Sequence, residues 1–129
     1  ENKIDMIILA GYMKMISPRV IRKYRNRILN IHPALLPQFG GKGMYGMNVH
    51  TAVIKAGVKT TGASVHLVDE KYDHGAVIMQ KPVWVKPGDD AESLRKRVLR
   101  AEHKLYPEVI KLFENNKVSI KNNKVIIDK

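Results

Sequence analysis

The sequence predicts an α/β fold, and three observations carry that expectation. "DMIILA", Asp5 to Ala10, is a short continuous apolar run of the kind found in strands covered on both faces. A loop, a short helix and a second apolar run follow it, which is a crossover pattern. Further on, Leu94, Val98, Ala101, Leu105, Val109 and Leu112 recur at helical spacing and form one apolar stripe.

Each element has its own local cause. Ser17 before Pro18 predicts an N-cap with proline at the first helical position, opening a helix through about Tyr24. "RILNIH" then predicts a strand ending at His32. Side chains alternate along a strand, so Ile28, Asn30 and His32 share one face while Leu29 and Ile31 take the other. The loop from Pro33 to Gly46 is stiffened by Pro33 and Pro37 and loosened by Gly40, Gly41, Gly43 and Gly46. Asn48 is the expected cap of a second helix, "VHTAVIKA", which stops at Gly57.

"TGASVHLVD", Thr61 to Asp69, alternates as a strand, and "GAVIMQKPVWV" is expected to pair antiparallel with it. Asp89 and Glu92 have capping-box spacing ahead of the longest helix, expected from about Asp90 to Phe113. Pro107 lies inside that pattern and predicts a kink or a break. "KVSIKNNKVIIDK" predicts a closing hairpin turned at Asn122 and Asn123.

The totals narrow the function classes. The 129 residues are 44% hydrophobic, which suits one core, and residues 1–129 are expected to form one domain. No apolar run approaches the roughly 20 residues of a membrane-spanning helix, and no charged-then-apolar leader precedes the first strand. The expected setting is soluble and cytoplasmic. Cysteine is absent, which excludes disulfides, thiolate ligands and a cysteine nucleophile. The net charge of +11 favours anionic partners. The basic residues are scattered along the chain without interleaved aromatics, so a solvated surface is favoured over a nucleic-acid footprint.

Three places can carry chemistry. Asn30 and His32 end a strand where α/β folds place ligands, and both can donate to an oxygen gaining negative charge. The simpler alternative is that Asn30 satisfies loop backbone and His32 closes the strand end. "VDEKYDHG" crowds Asp69, Glu70 and Asp73 into a turn, and a carboxylate there could fix an imidazole's tautomer and favour its charged form. Glu102 falls at the edge of the buried stripe, where a carboxylate needs a partner; a neighbouring arginine is the competing explanation. His50 and His66 are expected as core or supporting histidines, because neither metal-ligand spacing nor a carboxylate triad is present. The absence of a G-x-S-x-G elbow argues against an acyl-serine hydrolase.

The stretches "LAGYMKMISP", "LNIHPALLPQFGG", "TGASVHLVDEKYDHGAVIMQ" and "RAEHKLYP", in this order, resemble the catalytic half of the glycinamide ribonucleotide formyltransferases. That resemblance implies a Rossmann-like formyltransferase fold, with a mixed, mostly parallel sheet, helices on both faces and the N-terminal half missing. It implies Asn30, His32 and Asp73 as catalytic residues and Glu102 as the acid that contacts the amine-bearing substrate. Met13, Lys14, Met15 and Ile16, with Val68, Asp69 and the turn to Asp73, match the segments that hold the pteridine of 10-formyltetrahydrofolate. No metal is implied. Lys14 stands where the family often has arginine and His74 where it often has glycine, so backbone contacts would dominate at Lys14.

The family's glycine-containing phosphate loop, after its first strand, has no counterpart in this sequence. The expected chain is therefore a fragment holding the folate and catalytic residues, with exposed strand edges that favour self-association. Two other classes stay open. One is another formyl-folate enzyme, a hydrolase or a transferase with a different acceptor; the other is a basic RNA-binding or noncatalytic folate-binding module.

Overall fold

A computed structural model of the chain describes residues 6–9, 17–41, 43–68, 76–121 and 124–128. In chain order the elements are β1 (Ile7–Ile8), α1 (Pro18–Lys23), β2 (Ile28–His32), α2 (Met47–Ala56), β3 (Thr60–Leu67), β4 (Val77–Trp84), α3 (Ala91–Glu114), β5 (Val118–Lys121) and β6 (Lys124–Ile127). The first four strands form one sheet in the order β1-β2-β3-β4, and β5 and β6 form a separate hairpin. The sheet is mixed. Among the described residues, β1–β2 is its parallel pair, while β2–β3 and β3–β4 are antiparallel. The β3–β4 connection is too short for a crossover, so those strands must run oppositely.

Local chemistry sets the helix ends. Ser17 caps α1 by accepting from the Arg19 N–H at 3.2 Å, with Pro18 at the first helical position. The start of α2 departs from expectation: Gly46 is its N-cap, and Asn48 lies inside the helix. Asn48 fails as a cap because its amide Nδ2 turns back to donate to the Gly43 carbonyl at 2.9 Å. Gly57 ends α2 in the left-handed conformation, φ 70°, as a glycine readily does.

The capping box of α3 also moves by one residue. Asp90 accepts from the Ser93 N–H at 2.8 Å, and the Ser93 hydroxyl accepts from the Asp90 N–H at 3.1 Å. Asp89 is occupied elsewhere, holding the Arg97 guanidinium. Of the kink or break expected at Pro107, the break does not occur: α3 runs as one helix of 24 residues from Ala91 to Glu114. Pro107 and His103 both lie on the exposed side of the helix, where the hydrogen bond that proline cannot make is lost.

The buried stripe of α3 packs on one face of the sheet. Leu105 and Val109 meet Leu29, Ile31, Ala63, Val65 and Leu67, while Leu94 and Val98 meet Val53 of α2. Burying one such side chain contributes about 1.5–3 kcal/mol. The inward residues of the β5–β6 hairpin, Val118, Ile120, Val125 and Ile127, close on the first cluster. The hairpin register brackets Asn122 and Asn123, which lie outside the described residues. Tyr106 ties the helix to the strand ends by donating its hydroxyl to the Leu9 carbonyl, with the Leu29 carbonyl 3.1 Å away. Burial and this donor role suit a neutral phenol, whose pKa burial pushes up.

Candidate active site

The alternation expected in β2 holds. Leu29 and Ile31 enter the core cluster, and Asn30 and His32 belong to the opposite face. The antiparallel register sets Asn30 opposite His66 and His32 opposite Ser64. All four are buried. Polar groups taken from water in this way need partners, and the partners define the site.

His66 Nδ1 lies 3.0 Å from the Leu67 carbonyl, which can only accept, so Nδ1 carries the proton. In the neutral ring Nε2 is then an acceptor. It faces the Asn30 amide Nδ2 at 3.5 Å, and this fixes the amide with its oxygen turned away. Asn30 Oδ1 is buried and has no hydrogen-bond partner among the described residues. Asn30 therefore presents an acceptor oxygen and a second N–H, where the sequence suggested donation alone.

His32 Nε2 lies 2.7 Å from the Phe39 carbonyl and donates to it. Phe39 is a non-glycine residue in the left-handed region, φ 56°, and its backbone is held there by its surroundings. The loop between them is stapled from beneath. Ser64 Oγ donates to the Ala34 carbonyl at 2.7 Å and accepts from the Leu36 N–H at 3.0 Å. Gln80 Nε2 donates to the Leu36 carbonyl at 2.9 Å and lies 3.0 Å from Ser64 Oγ. The loop's prolines therefore act together with side chains of β3 and β4, and the Leu36–Pro37 peptide is cis.

His50, on α2, is buried, and its Nδ1 has no partner among the described residues. Its pKa is lowered by burial first and then by Arg95 and His32, which keeps it neutral beside a cationic neighbour. Asn30, His32, His50 and His66 thus gather as buried polar groups around the end of β2.

Glu102 sits elsewhere. It lines a cavity of about 480 Å³ with Ile31, Leu99, His103, Tyr106 and Ile110, on the α3 side of the sheet. Burial raises its pKa to about 7. It forms no hydrogen bond or ion pair among the described residues, so the arginine partner weighed from the sequence is not found. Val68 extends β3 by donating its N–H to the Ile28 carbonyl at 2.9 Å. Met13, Lys14, Met15, Ile16, Asp69 and Asp73 lie outside the described residues.

Sequence inspection missed Phe39, Ser64 and Gln80 as supports of the site, while His66, expected as a core or supporting histidine, supports Asn30. Strand alternation would place Ser64 and His66 on one face, but only the register sets that face beside Asn30 and His32.

The sequence and the fold are similar to those of known proteins. The chain is 50% identical over 107 residues to the chloroplastic phosphoribosylglycinamide formyltransferase of Arabidopsis thaliana, covering 83% of this chain and 37% of that protein. It therefore spans little more than a third of that relative. The phosphoribosylglycinamide formyltransferase structure from Anaplasma phagocytophilum superposes with a TM-score of 0.89 at 37% identity, covering 98% of this chain and 60% of that one. A formyltetrahydrofolate deformylase from Pseudomonas syringae superposes almost as well, TM-score 0.87, at 28% identity over 97% of this chain and 40% of that one. Residues 1–110 match the formyl transferase family, and the chain belongs to it.

Proposed function

We infer that this chain carries the folate-binding and catalytic part of a glycinamide ribonucleotide formyltransferase. The reaction moves a formyl group from 10-formyltetrahydrofolate to the primary amine of glycinamide ribonucleotide, a step of purine biosynthesis. The observation that carries this reading is the buried, unpartnered Oδ1 of Asn30 beside His32 at the end of β2. A buried acceptor without a partner costs about 1–3 kcal/mol, which a substrate N–H would relieve.

In this mechanism the amine nitrogen attacks the formyl carbon and the carbonyl electron pair moves onto oxygen. The second N–H of Asn30 and a protonated His32 stabilise that oxyanion, at a typical few kcal/mol per donor. The Phe39 carbonyl holds the His32 ring through Nε2. Asn30 Oδ1 accepts from the attacking amine. Asp73, assigned by the family resemblance, keeps His32 charged and relays the amine proton through water to the departing folate nitrogen. Glu102 is assigned to the amine-bearing substrate by the family resemblance; it lines the 480 Å³ cavity on the other face of β2 from Asn30 and His32, so on this reading the substrate passes round the end of that strand.

The deformylase reading is second, because the same fold carries that activity in another protein at lower identity. One assay separates the two. Formyl transfer is measured from 10-formyltetrahydrofolate with and without glycinamide ribonucleotide, on this chain and on a version extended by a family N-terminal segment. Amine-dependent loss of the formyl donor, abolished by Asp73→Asn, is the expected result. Formate release that ignores the amine supports the hydrolase, and full turnover by Asp73→Asn refutes the assignment of Asp73.

A further inference from the structure

Phe39 adopts a backbone that its residue type disfavours. Of the described residues other than glycine, Asn26, Phe39 and Asn116 have φ in the left-handed region. Asparagine visits that region readily, whereas a bulky side chain makes it costly. Nothing about the turn requires an aromatic residue. Glycines follow at once, and Gly41 and Gly43 take positive φ in the same loop. A glycine at position 39 would turn the chain without strain, so the phenyl ring has a use of its own.

That use follows from what the two ends of the residue touch. The ring packs against the cluster of Val53 on α2 with Leu94 and Val98 on α3, all three fully buried. The carbonyl accepts from His32 Nε2 at 2.7 Å. One residue thus joins the helical core to the imidazole, and the left-handed turn is the conformation in which both contacts are made. Upstream the loop has separate holds. Ser64 and Gln80 bond Ala34 and Leu36, and the Gln38 N–H donates to the Leu35 carbonyl at 3.1 Å. Those bonds tie the loop to the sheet and to itself, and Phe39 ties it to the helices.

We propose that Phe39 is a positioning residue of the site: its ring, seated on the α2–α3 core, holds its carbonyl on His32 Nε2 and so sets the orientation of the imidazole. Its consequence for rate rests on the proposed formyl transfer. Its effect on the His32 ring does not, and the two are measured separately.

The first test reads imidazole N–H protons of the isotope-labelled chain by NMR. A carbonyl partner slows their exchange with water, so the His32 Nε2 proton reports on Phe39 while the His66 Nδ1 proton, held by Leu67, is the internal control. Phe39→Gly keeps access to the turn and removes the ring. It should speed exchange of the His32 proton at least about tenfold and leave the His66 proton unchanged, whereas Phe39→Tyr, which keeps the ring, should protect both. If Phe39→Gly fails to melt cooperatively, Val53→Ala loosens the same seat from α2 and supplies the readout. In the enzyme extended by a family N-terminal segment, Phe39→Gly should lower kcat about tenfold to a hundredfold and keep KM within about twofold. The proposal is overturned if the His32 proton stays as protected in Phe39→Gly as before, if both protons lose protection together, or if KM rises while kcat holds. An extended enzyme that transfers no formyl group before any substitution counts against the proposed reaction and leaves the proton measurement to decide on Phe39.

Discussion

Asn30 and His66 face each other across β2 and β3 with amide Nδ2 and imidazole Nε2 3.5 Å apart, while Nδ1 of the same ring is tied to the Leu67 carbonyl. The ring's tautomer therefore sets which end of the amide is turned away from His66. A double-mutant cycle on Asn30→Ala and His66→Ala should give a coupling in unfolding free energy of about 0.5–1 kcal/mol, low in the hydrogen-bond range because the contact is long. In the extended enzyme, His66→Ala should lower kcat about tenfold to a hundredfold by releasing the amide. Strict additivity of the two changes, in stability and in rate, would show that the imidazole does not orient Asn30.

Glu102 should make the fold weaker at high pH. Its pKa rises from 4.5 to about 7 on folding, so the folded chain holds a proton that the unfolded chain has released. Stability is then full below pH 4.5, declines as pH rises to about 7 and is flat above. After allowance for solvent screening, Glu102→Gln should recover about 1–2 kcal/mol above neutrality and change little in acid. Urea unfolding of both proteins on either side of this window checks it, and parallel pH profiles would contradict it.

Gly62 is required by contact. A Cβ there would lie 2.2 Å from the Lys81 carbonyl oxygen and 2.7 Å from Leu35 Cδ2, and the carbonyl is backbone in the paired strand β4. Gly62→Ala should destabilise by about 1–3 kcal/mol through forced strand separation. Thermal unfolding measures this, and an unchanged midpoint would mean that β3 and β4 part more easily than their register implies.

Asp89 should govern the acid limb. Its side chain is 6% exposed and accepts from Arg97, Ser93 and the Lys86 N–H. The Arg97 hydrogen bond is the main reason its carboxyl titrates well below the usual 3.8. A depressed carboxyl adds stability above its unfolded pKa and loses it as pH falls toward the folded value, here below pH 3.8. Asp89→Asn should cost about 3 kcal/mol at neutral pH, because it leaves Arg97 without its anion, and should flatten the acid decline. Denaturation series at neutral and acid pH test both halves of this expectation.

Rules that act over a few residues identified much of this molecule. Alternation placed Asn30 and His32 together, Ser17 and Pro18 opened α1, Gly57 closed α2, and the stripe of α3 named its five buried residues, its sixth member Leu112 being only half-buried. Those rules failed by one or two positions where two local solutions competed, as at Asn48 and Asp89, because a longer-range partner claimed the side chain. The break expected at Pro107 was overridden by packing on either side of it.

The site's working detail had another origin. Asn30 and His66 are 36 residues apart, Ser64 and Leu36 are 28 apart, and nothing in either neighbourhood names the other. Their meeting depends on strand register, and a slip of one residue would turn every side chain of β3 to the opposite face. Hydrogen-bond direction and the burial that lifts Glu102 arise the same way. Short-range chemistry selects the groups, but the dielectric and the partners that give each group its reactivity exist only once distant segments have packed.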